Sequence, residues 1–152
     1  MPANFQAVYG LTANIGKALF PTTGLVKSDG SSGASGIGTD MSLLWTAGAN
    51  GSFLEKIRLS PVATVAATAT AATVLRIYLS TVNTGVTANT NTVLLQEIGA
   101  AAQTAAHSTN ATFFFEVPFS IKVPTAYYVL ISTHTAPATN TNWEAIALGM
   151  DF

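Results

Sequence analysis

The chain has 152 residues, of which 49% are hydrophobic and only 9% are charged, with a formal net charge of -1. A soluble domain has about 25% charged residues, so this surface is poorly protected against association, and the charge balance favours neither nucleic acid nor an anionic membrane as a partner. The chain contains no cysteine, which excludes disulfides, thiolate nucleophiles and cysteine-based metal sites. No stretch has the pattern of a signal peptide or the apolar length of a spanning helix, so we expect neither.

The first 40 residues differ in pattern from the rest of the chain. Their apolar residues follow no sustained helical or strand period, and residues 29–38, DGSSGASGIG, form a flexible Gly/Ser tract. We therefore predict an extended N-terminal arm and linker over residues 1–40 and a β domain over residues 41–152. In the alternative interpretation, residues 5–9 are the first strand of the domain.

Apolar side chains on such an arm would expose an apolar surface unless they dock on a neighbouring subunit or another protein. The predicted assembly contacts are Phe5, Tyr9, Leu11, Leu19 and Phe20. If the arm is separate from the domain, deleting residues 2–36 should leave the domain folded and weaken association.

Residues 41–47 and 52–60 are the first two predicted strands. Asn50-Gly51 lies between them, and this pair favours the tight turn of a β-hairpin because it tolerates positive φ. Pro61 is expected to end the second strand because proline cannot donate a ladder hydrogen bond. The Ala- and Thr-rich residues 62–72 are predicted to form a loop or a flat strand.

The remaining strands are predicted from period-two alternation of apolar residues. They cover residues 73–80, 92–98, 111–119, 127–133 and 143–149, with polar loops at residues 81–91 and 134–142. In the predicted strand at residues 111–119, Phe113, Phe115, Val117 and Phe119 share one face, which favours a core position. Roughly seven or eight short strands with turns between them predict an all-β chain folded as a β-sandwich or jelly roll.

Few residues suggest chemistry. His107 and His134 lie in polar loops without a second ligand at metal-binding spacing, so no metal or cofactor is expected. Glu97 and Glu116 are predicted to pair across the sheet with Arg58 or Arg76 on a solvated face.

The aromatic residues of the strands allow two interpretations, a sugar-binding surface or part of the core. Trp45 and Trp143 could stack on a sugar together with Tyr127 and Tyr128, but strand aromatics are more often core. A carbohydrate-active enzyme is opposed by the missing carboxylate pair.

Five segments of the chain resemble, in order over residues 41–152, small structural proteins of tailed bacteriophages. They are TAGANGS at residues 46–52, ATVLRIYLS at 72–80, LLQEI at 94–98, ISTHTA at 131–136 and ALGMDF at 147–152. The resemblance implies a non-enzymatic virion component, most plausibly a decoration or cement protein on the capsid surface, made in the host cytoplasm. It also implies a homo-oligomer, expected to be a trimer, that contacts the major capsid protein.

The runner-up hypothesis is a fibre or spike module that binds a host receptor or glycan. In that case the polar loops at residues 81–91 and 134–142 would make the contacts, since binding residues often lie on exposed loops.

Overall fold

The computed structural model describes residues 12–22, 41–65, 68–83, 91–104 and 114–152. Within these ranges the chain forms eight β-strands and no helix. The strands are β1 (Thr12–Leu19), β2 (Ser42–Thr46), β3 (Ser52–Ala63), β4 (Thr73–Ser80), β5 (Thr92–Ala100), β6 (Phe115–Val123), β7 (Tyr128–Thr133) and β8 (Thr141–Asp151). The predicted all-β class is confirmed, and the span of β4 is the one that alternation predicted.

The strands form two antiparallel four-stranded sheets, ordered β1-β8-β3-β6 and β2-β7-β4-β5. Strands pair first with eighth, second with seventh, third with sixth and fourth with fifth, as in one long antiparallel ribbon wrapped into two layers. This nested order is the jelly-roll topology, one of the two arrangements that the sequence predicted.

The core lies between the sheets and is made by the inward side of each strand. Its fully buried large side chains include Leu54, Ile57, Leu59, Leu75, Ile77, Ile131 and Trp143. Phe115 packs against this core, with its ring centroid 5.9 Å from that of Trp143. The predicted inward face of β6 is therefore confirmed for Phe115, Val117 and Phe119, whereas Phe113 lies outside the described residues.

The N-terminal boundary of the domain differs from the prediction. Residues 12–19 are not part of an unpaired arm but form β1, which pairs with β8 over its whole length. Gly16 lies against β2, where an added Cβ would sit 2.1 Å from the carbonyl oxygen of Leu44. A chain without residues 2–36 therefore lacks one strand of a four-stranded sheet. The premise of the deletion prediction, an arm separate from the domain, does not hold for residues 12–19, and the folding of the shortened chain stays a prediction.

The predicted hairpin between β2 and β3 does not form, although the turn does. The Gly51 N–H donates to the carbonyl of Gly48, so Ala49 and Asn50 are the central residues and Gly51, at φ 85°, is the last. A two-residue hairpin loop needs positive φ at its central residues, and Asn50 has none. β2 pairs with β7, whereas β3 pairs with β6 and β8, so the chain crosses here from one sheet to the other.

Pro61 does not end β3. The strand continues to Ala63, and Pro61 pairs with Trp143 of β8. Among the described residues, pairing between β3 and β6 stops at Leu59. There, Pro61 has a paired neighbour on the β8 side alone, a position that tolerates proline.

A hydrogen-bond network joins both sheets at one end of the sandwich. Asp151 Oδ1 accepts from Asn14 Nδ2 at 2.7 Å and from the Ser52 hydroxyl at 2.5 Å. Asn14 Nδ2 also donates to the carbonyl of Thr46 at 2.9 Å, and the N–H of Gly48 donates to Ser52 Oγ at 2.7 Å. These bonds hold β1, β3 and β8 against the chain that leaves β2.

Candidate interaction surface

The outward side of the β1-β8-β3-β6 sheet, called the outer face below, carries both cations and apolar side chains. Its residues follow from strand register and alternation. They are Ala13, Ile15, Lys17 and Leu19 of β1, Glu144, Ile146, Leu148 and Met150 of β8, Phe53, Lys56, Arg58 and Ser60 of β3, and Glu116, Pro118, Ser120 and Lys122 of β6.

Two cations of the outer face form ion pairs with neighbouring strands. Lys17 Nζ lies 3.0 Å from Glu144 Oε2, and Lys56 Nζ lies 3.2 Å from Glu116 Oε1. The Lys17 side chain is 65% exposed, so this pair adds little to stability.

The other two cations lie over aromatic rings. The guanidinium carbon of Arg58 is 4.0 Å from the centroid of Phe114, and Lys122 Nζ is 5.9 Å from that of Phe152. Among the described residues neither cation has a carboxylate partner, because Glu116, the register partner of Arg58, binds Lys56. The aromatic contacts orient these two side chains without neutralising them.

Exposed apolar side chains accompany these charges. Ile15 is 65% exposed and Leu19 is 52% exposed, both on β1. Phe114, just before β6, is 44% exposed beside Arg58. Partly buried Ile146, Leu148 and Met150 continue the apolar surface along β8.

The five predicted assembly contacts separate into three groups. Phe5, Tyr9 and Leu11 lie outside the described residues. Leu19 is exposed on the outer face and is therefore accessible to a neighbouring molecule. Phe20, by contrast, is 1% exposed in the sandwich core, so the structure places it in the domain and not on a contact surface.

Two open cavities border the outer face at opposite ends of the sandwich. One, of about 460 Å³, is lined by Asn50, Gly51, Lys122, Val123, Pro124 and Phe152. The other, of about 380 Å³, is lined by Leu19, Val62, Ala63, Thr64, Asn140, Thr141 and Asn142. In the second cavity the Asn142 amide donates to the carbonyl of Phe20 and its oxygen accepts from the N–H of Trp143, so this side chain has a structural role.

The predicted ion pairs are partly confirmed. Glu97 pairs with Arg76 at 2.5 Å, as expected, but Arg76 is only 7% exposed and does not lie on a solvated face. It lies on the outward side of the second sheet, next to a small buried cluster of Met41, Tyr78 and Leu130. Glu116 pairs with Lys56 instead of Arg58 or Arg76.

The other candidates for chemistry are placed as follows. Trp45 and Trp143 are 2% and 1% exposed, so both are core residues and cannot form a sugar-stacking platform. His134 is exposed, and His107 lies outside the described residues. Where the structure describes the chain, no three metal-ligating side chains cluster, and no helix is long and apolar enough to span a membrane.

Sequence reasoning missed the outer face, although a signal for it was present. Lys56, Arg58 and Lys122 each adjoin an apolar residue of β3 or β6 that faces the core, namely Ile57, Leu59 or Ile121. With Lys17 they account for four of the six Lys and Arg residues of the chain. Tracing the cations strand by strand would have brought them together, but only with the strand order known.

Comparisons of the chain with protein families, with curated proteins and with solved structures found no match.

Proposed function

We propose that this chain is a bacteriophage virion structural protein that decorates and stabilises the capsid as a cement protein. The observation that carries the proposal is the jelly-roll topology together with the exposed apolar side chains of Ile15 and Leu19 on the outer face and of Phe114 beside it. Jelly rolls are common among viral shell proteins and lectins. Fold alone does not decide function, so the proposal also draws on the resemblance of five sequence segments to phage structural proteins.

The proposed mechanism is mechanical. Each copy buries part of its apolar surface against the shell or a neighbouring copy, which contributes about 25 cal/mol for each Å² of apolar area removed from water. A chain with only 9% charged residues loses little charge solvation when such contacts form. Many identical copies, arranged as homotrimers on the major capsid protein, would together stabilise the shell.

The test is binding of the purified protein to purified shells that lack it. Co-sedimentation should give saturable binding, and occupied shells should disassemble at a higher temperature than bare shells, because a ligand that binds only the assembled state stabilises it. A protein that stays in the supernatant at saturating shell concentration, with no change in shell disassembly temperature, would rule out the cement function.

A receptor- or glycan-binding module is the second candidate, and the cavity beside Leu19 favours it. This cavity combines an apolar floor with amide and hydroxyl groups from Thr64, Asn140 and Thr141, and part of it belongs to the loop at residues 134–142. Asn140 has φ 64°, so N140G removes its amide while keeping a residue that tolerates this backbone.

Glycan-array binding followed by calorimetry would test this candidate. Under it, the wild type binds a defined glycan and N140G binds at least tenfold more weakly. The absence of binding to any glycan on the array, or equal binding by N140G, would count against this cavity as the binding site.

A further inference from the structure

The outer face differs in charge from the rest of the protein. It carries four cations and two carboxylates, those of Glu116 and Glu144. Counting Glu55, the exposed bulge residue of β3, raises the number of carboxylates to three. Its net charge is therefore positive, whereas the whole chain has a formal net charge of -1. Among so few charged residues, four of six cations on one sheet face give it a distinct electrostatic character.

Arg58 and Lys122 are the two cations that lack a carboxylate among the described residues. Lys122 is in register with Phe53, and Arg58 is five residues further along β3. At about 3.3 Å per residue, the two cations lie roughly 16 Å apart along the sheet. Partly buried Leu148 and Met150 lie on β8 alongside this interval.

We infer that the outer face is the docking surface for an acidic protein partner, whose carboxylates pair with Arg58 and Lys122 while its apolar groups cover the surface between them. The inference rests on the proposed function, in which that partner is the shell. Pairing with a carboxylate would replace solvent around each cation with a charge-assisted hydrogen bond. The aromatic rings beneath the cations already restrict their positions, which lowers the entropy lost on binding.

A second copy of the chain is a poorer occupant of the same face. Two copies packed face to face about a two-fold axis would bring two positive surfaces together. Like charges brought into an interface oppose association, so this arrangement is disfavoured.

The experiment measures co-sedimentation of full-length protein with purified shells that lack it, at low and at high ionic strength. R58Q/K122Q removes both unpaired cations and should weaken shell binding at least tenfold at low ionic strength. The conservative variant R58K/K122R keeps both charges and should bind within threefold of the wild type. The wild type should lose affinity as salt is raised, and R58Q/K122Q should lose less.

V93E/Q96E is the matched control, since it makes the same change in net charge at two exposed positions of β5 in the other sheet. It should bind as the wild type does. Equal binding by the wild type and R58Q/K122Q would overturn the inference and leave the proposed function standing. Equal weakening of R58Q/K122Q and V93E/Q96E would also overturn it, because net charge alone would then explain the loss.

Two further outcomes are distinguishable. If R58Q/K122Q changes self-association in sedimentation velocity but not shell binding, the face contacts a second copy and the inference is wrong. If the wild type itself does not bind shells, the proposed function fails and the inference fails with it.

Discussion

Phe20→Ala tests whether the segment before residue 41 belongs to the folded domain. Phe20 is 1% exposed, its N–H donates to the carbonyl of Trp143 at 2.9 Å, and its carbonyl accepts from the Asn142 amide at 2.9 Å. Truncating a fully buried Phe to Ala removes apolar contacts and leaves a cavity, which costs about 3–5 kcal/mol. For a chain of this length each kcal/mol lowers Tm by about 2–4 °C, so a decrease of roughly 6–20 °C is expected.

The neighbouring substitution Leu19→Ala is the control, because Leu19, the last residue of β1 and directly before Phe20, is 52% exposed. It should cost no more than about 1 kcal/mol, as surface substitutions usually do. Both variants would be measured by urea unfolding followed by circular dichroism. If Phe20→Ala and Leu19→Ala give the same free energy of unfolding, residue 20 is not in the core and β1 is not part of the sandwich.

Three further substitutions test particular contacts by the same unfolding assay. Gly16→Ala should cost about 1–3 kcal/mol because its Cβ would meet the carbonyl of Leu44. Gly99→Ala should be near neutral because no described atom lies within 4 Å of the added Cβ, and equal effects of the two substitutions would contradict the close contact between β1 and β2. Gly51→Val should destabilise by at least about 1 kcal/mol, since a β-branched residue is strained at φ 85°, and unchanged stability would show that the turn adopts another conformation. Thr133→Val should stabilise by about 1 kcal/mol, because the buried Thr133 hydroxyl has no hydrogen-bond partner in the described part of the chain, and a loss of stability would reveal a bond that this hydroxyl makes.

Strands whose two faces differ clearly in polarity could be predicted from the sequence. β4 was predicted with its observed bounds because Leu75 and Ile77 alternate with other residues between polar ends. β6 was recognised from Phe115, Val117 and Phe119, all of which pack against the core. In these segments local alternation and tertiary burial agree, so the sequence alone is sufficient.

β1 could not be predicted because its pattern is inverted. Its large apolar residues, Ile15 and Leu19, face outward, and its inward positions are Asn14, Gly16 and Ala18. Small residues are needed there because β1 lies close to the backbone of β2. That requirement depends on a neighbour about 30 residues away in sequence, which period-two reasoning does not include.

The predicted pairing of β2 with β3 is wrong for a related reason. An Asn-Gly pair indicates that the chain turns, but not whether the flanking strands remain hydrogen-bonded to each other. Here β2 pairs with β7 and β3 pairs with β6 and β8. Such long-range pairings are set by the whole jelly-roll order, and the same order is what brings the cations of the outer face together.

Cryo-electron microscopy of the intact virion tests the central proposal most directly. If the chain is a cement protein, density that fits its two four-stranded sheets should repeat at equivalent sites over the outer surface of the capsid. The outer face of the β1-β8-β3-β6 sheet should then be turned toward the shell. Density found only on a tail fibre or spike, or a particle without this chain, would contradict the proposal.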